Sequence, residues 1–418
     1  MMRDRSPLPL PLLALTALAG LLGAPARALQ EAPQAPAAVD APSFEEVRAS
    51  LAARIERGRY RGAVTVVEMG PERVFEAALG ERDSQAGTPM RGDEIFRIYS
   101  MSKPITAAAA LILLEEGAFT LETPLSELCP EFGELVVGVE AEDGSLARVP
   151  LEREIRMVDL FRHTAGFTYG YFAESAVDEL TMAIEPLDLT RDLAEFTQRL
   201  ATVPLKHQPG TVFEYSLASD VLGRVVEVAS EQRFSAFLEE RLFGPLGMVD
   251  TGFHVPEAKL ERLPSCHVRQ DGALVLAPAS EIAPAGYPPA FESGGGGLYS
   301  TADDYLRFAR MLLNGGELDG VRVLRVDTVA LMLSDHLDGR PAPMLGLTGS
   351  AFGLGLAVRT SSGARGPHAG SAWWGGYAGT HFWIDPELDL AAVFLIQNLA
   401  EPLHGSGFER DVYRALGR

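Results

Sequence analysis

Phe44, Val47, Leu51 and Ile55 recur three or four residues apart between positions 44 and 59, which predicts a helix with one apolar face. The pattern then changes period. GAVTVVEMG and RVFEAALG read as two short strands joined by a turn at Gly70-Pro71. From Met101 to about Met248 the character is mostly helical. Within that stretch FSAFLEERLFGPLGM sets Phe234, Phe237, Leu238 and Leu242 at helical spacing and predicts a helix ending near Gly244. GGGGLYSTADDYLRFARMLLNGG is a glycine-rich approach to another helix, with Ser300 as the expected cap, Asp303 three residues on, and Asn314-Gly315-Gly316 at the close. FGLGLAVR, GTHFWID and LAAVFLIQ return to strand character, the last two joined by a turn around Pro386, and FERDVYRALG closes the chain as a helix. Strand-rich ends thus flank a helical middle, with no internal repeat. The fold class expected is α+β: one antiparallel sheet built from both chain ends, helices on its faces, and a helical subdomain inserted over roughly 101–250.

Length and composition bound this picture without changing it. The 418 residues suffice for one large domain or two smaller ones, and 47% hydrophobic and 22% charged residues are ordinary globular values. A formal net charge of −21 leaves no basic surface to offset phosphates, which excludes a nucleic-acid partner. The first 28 residues are set apart from the fold. MMRDRS carries two arginines, PLPLPLLALTALAGLLG is an apolar run, and Ala26-Arg27-Ala28 offers small residues for cleavage. This is the layout of a secretory signal peptide, too short and Pro-broken for a membrane span. Residues 29–42 follow as a flexible linker rich in Ala and Pro, and 43–418 form the domain. The protein is therefore expected in the periplasm or outside the cell, with no stable membrane span after cleavage. Cys129 and Cys266 are the only cysteines. An exported protein can pair them, but two make neither a framework nor a metal spacing. The eight histidines show no zinc spacing, so no metal and no cofactor is expected.

Candidate chemistry centres on FRIYSMSKPITAAAALILLEEG, residues 96–117, with two serines and a lysine inside four positions. On a helix, residues three apart face each other and adjacent ones do not. Ser100 and Lys103 are therefore partners, and Ser102 is a structural hydroxyl. Pro104 is tolerated only in a first turn, which places Ser100 at or just before the helix N-terminus, where free amides favour developing negative charge. The nearly uncharged residues that follow predict a buried helix. A lysine at its head loses hydration, its pKa falls, and it accepts a proton from a serine. Lys103, Lys206 and Lys259 are the only lysines among 36 basic residues. A solvated cation in this chain is usually Arg, whereas proton transfer needs an amine.

IYSMSKPIT, LFRHTAGFTYG (160–170), QPGTVFEYSLASDVLGRVVE (208–227), LFGPLGMVDTGFHV (242–255), GGGGLYSTADDY (294–305) and WWGGYAGTHFWIDP (373–386) occur in an order that resembles the serine β-lactamase and penicillin-binding-protein superfamily. The class C-like serine hydrolases and family VIII esterases are the nearest likeness, over most of the domain. The resemblance implies a β-lactamase/transpeptidase-like fold, Ser100 as nucleophile, and Tyr215 as the tyrosine of a Tyr-x-Asn motif. Tyr215 would have its phenol pKa lowered beside Lys103 and share proton transfer with it. Leu217 stands where the asparagine belongs, which removes an amide from the substrate-binding set. Trp374-Gly375-Gly376 stands where β-lactamases carry Lys-Thr-Gly, with glycines that let substrate approach the strand. Tyr377 would add its backbone N–H to that of Ser100 in the oxyanion hole. His368-Ala369-Gly370 is a competing His-x-Gly that sits farther from the strand. His163 matches a block that looks structural, and residues 167–186 read equally as a lid or as plain packing.

The expectation is an exported serine hydrolase that cleaves small-molecule carboxylic esters through an acyl-enzyme on Ser100, or transfers the acyl group to an alcohol. Trp374 offers an apolar surface where anionic lactams need a cation. The alternatives are a β-lactamase or D,D-carboxypeptidase acting on an amide, and a non-catalytic binding protein of the same fold. Oligomeric state is left open.

Overall fold

Strands from both chain ends meet in one sheet. The computed structural model describes residues 44–141, 144–171, 175–340, 349–363, 366–400 and 404–417, so the expected signal peptide and the whole linker lie outside the described residues. The sheet has eight strands in the order Ser350–Phe352, Ala357–Arg359, Ala372–Gly375, His381–Asp385, Leu390–Leu395, Gly62–Met69, Glu72–Asp83, Thr88–Pro89. Every neighbouring pair is antiparallel. The seam between the two ends pairs Val64 with Leu395 and Val66 with Val393.

Both faces of the two central strands are covered, which explains their nearly unbroken apolar sequences. Val64, Val66, Val393 and Leu395 face the helical side and pack into the main core. Ala63, Val67, Ala392 and Phe394 face the other way, against Val47 and Leu51 of the helix Glu45–Glu56 and Phe408 and Val412 of the helix His404–Ala415.

Several boundaries differ from the sequence reading. FGLGLAVR is two strand pieces rather than one: Gly353 donates to the Leu356 carbonyl, Gly355 takes φ +90°, and Ser350–Phe352 folds back on Ala357–Arg359. The cap of the helix Ala302–Leu313 is Thr301, which accepts from the Asp304 N–H, while Ser300 belongs to a short strand with Tyr299. The helix begun at Phe234 passes through a π turn at Glu239–Phe243 and runs to Leu246 before Gly247 turns left-handed. The helical middle also holds a hairpin, Val136–Glu140 with Leu146–Pro150. Cys129 and Cys266 are both buried free thiols. No helix among the described residues is long and apolar enough to cross a membrane.

Candidate active site

The segment that carries Ser100 begins with strain. Tyr99 adopts φ +45°, uncommon for a residue with a side chain, and a 3-10 turn over Tyr99–Met101 leads into the helix Ser102–Glu115. Pro104 is the third residue of that helix, where its missing N–H leaves no bond unmade. The alanine run then packs without exposed surface from Ala107 to Ala110. Ser100 is half-buried at the head of the turn, and Ser102 is fully buried with Oγ accepting from Leu298 N–H at 3.1 Å.

Lys103 is 1% exposed. Its Nζ donates to Ser100 Oγ at 3.1 Å and to the Gly295 carbonyl at 2.6 Å, and it lies 4.5 Å from the centre of the Tyr215 ring. Burial lowers its pKa to about 7, with the charge of Asp220 opposing that shift. The other two lysines are ion-paired: Lys206 with Asp178 and Glu214, each at 3.2 Å, and Lys259 with Asp250 at 2.5 Å.

Tyr215 lies in the extended approach to the helix Ala218–Ser230. Its ring is 4.9 Å from His163, 5.5 Å from Tyr169 and 5.7 Å from Trp374. Its phenol pKa is raised, not lowered as expected. Burial outweighs the side-chain interactions with Ser100 and Trp374, and an amine with a pKa near 7 supplies little positive charge. His163 stands behind this ring with φ +55°, Nδ1 accepting from Ser216 N–H at 3.3 Å, and burial holds its pKa well below the ordinary value. The ring is thus neutral and braces Tyr215. Leu217 caps the next helix and is entirely buried in the main core. It presents neither an amide nor surface to a ligand.

Trp374 is buried on the strand Ala372–Gly375, and Gly375 pairs with His381. Gly376 donates to the Thr380 carbonyl at 2.8 Å to open a tight turn. A Cβ there would stand 2.4 Å from the Ile98 carbonyl oxygen, so this glycine is required by the segment leading to Ser100 rather than by a ligand. Tyr377 follows, half-exposed, its ring edge-on to Tyr99 at 5.6 Å. Neither Ser100 nor Tyr377 has a hydrogen-bond acceptor for its backbone N–H among the described residues. His368 lies at the opposite end of the strand pair, where its Nδ1 meets Asp385 Oδ2 at 2.8 Å beside the Tyr413 hydroxyl. The histidine of the competing His-x-Gly is therefore held in a structural contact with Asp385. The 167–186 segment contributes Tyr169, 5.4 Å from Lys103 Nζ at its ring centre, and the exposed Tyr171 stacked on it. Residues 172–174 lie outside the described residues, and the helix Ala176–Ala183 follows.

Asp220 lies close to Lys103, although nothing in the sequence singles it out: Ser219-Asp220-Val221 approaches a Ser-Asp-Asn motif but has the wrong third residue. It is fully buried beside the lysine and raised in pKa by burial, against Ser293, Lys103 and Gly295.

With this geometry in place, comparison with known proteins gives the class. The chain belongs to the β-lactamase family, whose model, described as Beta-lactamase, matches residues 47–413. It is 39% identical over 362 residues to Protein Rv1367c of Mycobacterium tuberculosis, covering 84% of this chain and 89% of that protein. It is 34% identical over 397 residues to Esterase EstB of Burkholderia gladioli, covering 88% and 96%. Among solved structures, EstCE1, described as a hydrolase with promiscuous acyltransferase activity, matches with a TM-score of 0.73 and 25% identity over 89% of this chain and 97% of that one. The fold is thus α+β and β-lactamase/transpeptidase-like, and the protein is a serine hydrolase.

Proposed function

We propose that the protein is exported and hydrolyses small-molecule carboxylic esters through an acyl-enzyme on Ser100. The observation that carries this reading is Lys103: a buried amine with a pKa of about 7, 3.1 Å from the Ser100 hydroxyl. Near neutral pH about half of such amines are free bases. Ser100 Oγ attacks the ester carbonyl carbon as its proton passes to Lys103 Nζ, directly or by relay through the Tyr215 hydroxyl, which takes the Ser100 proton as it gives its own to Lys103. The carbonyl oxygen takes up the electron pair and is stabilised by the N–H groups of Ser100 and Tyr377. Collapse breaks the bond to the leaving alcohol, which receives the proton. Water then attacks the acyl carbon, gives its proton to the same base, and releases the acid and the Ser100 hydroxyl. An alcohol in place of water yields a new ester, an outcome supported by the description of EstCE1.

Trp374, Gly375 and Gly376 line the strand beside Ser100 with no cation, which favours a neutral ester over an anionic lactam, and the name of EstB agrees. The apolar run before Ala28 supports export, and the mature chain is expected to begin at Leu29 by mass spectrometry.

The test is hydrolysis of p-nitrophenyl butyrate and nitrocefin by the wild type, Ser100→Ala and Ser102→Ala. Ester turnover should fall by at least about 10³-fold in Ser100→Ala and survive in Ser102→Ala. The reverse pattern overturns the nucleophile assignment, and fast nitrocefin cleavage moves the protein to the β-lactamases. In the wild type kcat/KM should rise with pH through about 7, as Lys103 loses its proton.

A further inference from the structure

The glycine run Gly294–Gly297 has no part in the reaction scheme, yet it touches the lysine. Gly295 supplies the carbonyl that accepts from Lys103 Nζ at 2.6 Å, and Gly294 the carbonyl that accepts from Thr106 Oγ1 at 2.8 Å. Both glycines sit where no side chain fits. A Cβ on Gly294 would stand 2.4 Å from the Ser219 carbonyl oxygen, and one on Gly295 would stand 2.5 Å from Asp220 Oδ2 and 2.9 Å from the Tyr169 hydroxyl. Asp220 clamps this loop: its Oδ1 accepts from Ser293 Oγ at 2.5 Å and from Gly295 N–H at 3.0 Å. Its Oδ2 is buried with no hydrogen-bond partner among the described residues. A loop needs one carboxylate oxygen to hold it. A second one, buried and left unpaired, costs stability and asks for another reason.

We infer that Asp220 is a positioning residue for Lys103, fixing the Gly295 carbonyl against Nζ and placing a carboxylate charge beside the amine that serves Ser100. The inference rests on the reading of Lys103 as the base. Held at Gly295, the amine points another of its bonds at Ser100 and cannot swing away. The charge works in the same place by favouring the ammonium form, which keeps the proton taken from Ser100 available for the leaving alcohol. The groups facing this pair are Tyr169 and Tyr171 from the 167–186 segment, Tyr215 from the approach to the Ala218–Ser230 helix, and His163 behind it. The phenols are held protonated and the imidazole neutral, so among the described residues Asp220 is the negative charge acting on Lys103.

The experiment compares kcat/KM against pH for the wild type, Asp220→Asn and Ser293→Ala, with the rate of fluorophosphonate labelling of Ser100 measured over the same range. Asparagine keeps an oxygen for the loop and removes the charge. Its acid limb should move to lower pH by about half a unit or more in both readouts, with a plateau lowered by about tenfold as the leaving alcohol loses its proton donor. Ser293→Ala removes one loop contact and keeps the charge, so its limb should stay with the wild type. An Asp220→Asn limb that coincides with the wild type, at whatever plateau, overturns the inference and leaves Asp220 a loop anchor. Hydrolysis that survives Ser100→Ala is a different failure: it removes the reading of the site, and the inference with it.

Discussion

Two aspartates in the helical half are equally buried, and the protein treats them in opposite ways. Asp159 and Asp220 are both 0% exposed. Asp159 receives Arg153 through two bonds at 2.7 and 3.0 Å, Arg162 at 3.1 Å, Thr164 Oγ1 at 2.9 Å and the Arg156 N–H at 2.9 Å. Burial alone would raise its pKa, but Arg153 and the other donors overcome that and hold it below the ordinary value. Asp220 has a hydroxyl, one peptide N–H and a lysine that is itself half-neutral, and its pKa stays raised. Burial is common to both, so it does not mark a working group. A deficit of partners does. The outer face of the sheet repeats the first pattern: Glu409 is matched by Arg359 at 2.8 Å, and Asp385 by His368 and Tyr413.

The largest test of this contrast is stability. Asp159→Ala strands two guanidinium groups in a partly buried site and should cost about 3 kcal/mol in urea unfolding at pH 7. Asp220→Asn should cost nothing and gain up to about 1 kcal/mol, because the loop keeps its acceptor and a buried charge is gone. Equal losses at the two positions would break the comparison and make Asp220 another structural anchor.

What could be read in the sequence follows the reach of each contact. The seam strands were legible because a segment buried on both faces is apolar at nearly every position, as in GAVTVV and LAAVFL. Ser100 and Lys103 were legible because three residues on a helix suffice to join them. FGLGLAVR was misjudged because the same glycines that suit a strand beside a crowded helix also make a turn, and only the φ of Gly355 decides. The shift of Tyr215 was given the wrong sign because sequence supplies a neighbouring lysine but not the depth at which both lie. Asp220 was out of reach. Its partners Ser293 and Gly295 are 73 and 75 positions away, and nothing local distinguishes it from an acid on a solvated helix face.

Lys103 sharpens the contrast from the cationic side. Its amine titrates near 10.4 in an unfolded chain and at about 7 in the fold. Between those values the unfolded state holds a proton that the native state lacks, so stability rises with pH across that window. Below about pH 7 the full cost is present. A shift of this size corresponds to several kcal/mol. Lys103→Met removes that cost but leaves the Gly295 carbonyl without its donor, about 1–2 kcal/mol in the other direction. The inactive variant should therefore be about 2 kcal/mol more stable than the wild type at pH 7 in denaturant titrations. The gain should vanish by pH 10, where most of the wild-type penalty has gone and the lost Gly295 contact offsets the rest. A variant less stable at both pH values would mean that the lysine is held by contacts the raised Asp220 does not reflect. Arg153→Met, by contrast, should destabilise at either pH, because its guanidinium is charged throughout.

The smallest effect separates the two aspartates by sign alone. Asp159 has a folded pKa below its unfolded value near 3.9. Its contribution is therefore complete above that value and is lost as pH falls through the folded one. Asp220 has a folded pKa above the unfolded value. The native state takes up this proton first on acidification, so the group's cost, present near neutrality, fades as pH drops toward about 4. Measured between pH 7 and 3, Asp159→Asn should show a deficit against the wild type that shrinks only below about pH 4. Asp220→Asn should show an advantage of up to about 1 kcal/mol that shrinks over the interval above pH 4. The windows are different and the signs opposed, so a general acid effect on the fold cannot imitate the pair. If both variants converge on the wild type over the same interval, Asp220 is ionised and satisfied in the native state, and the functional mark drawn from its missing partner is removed.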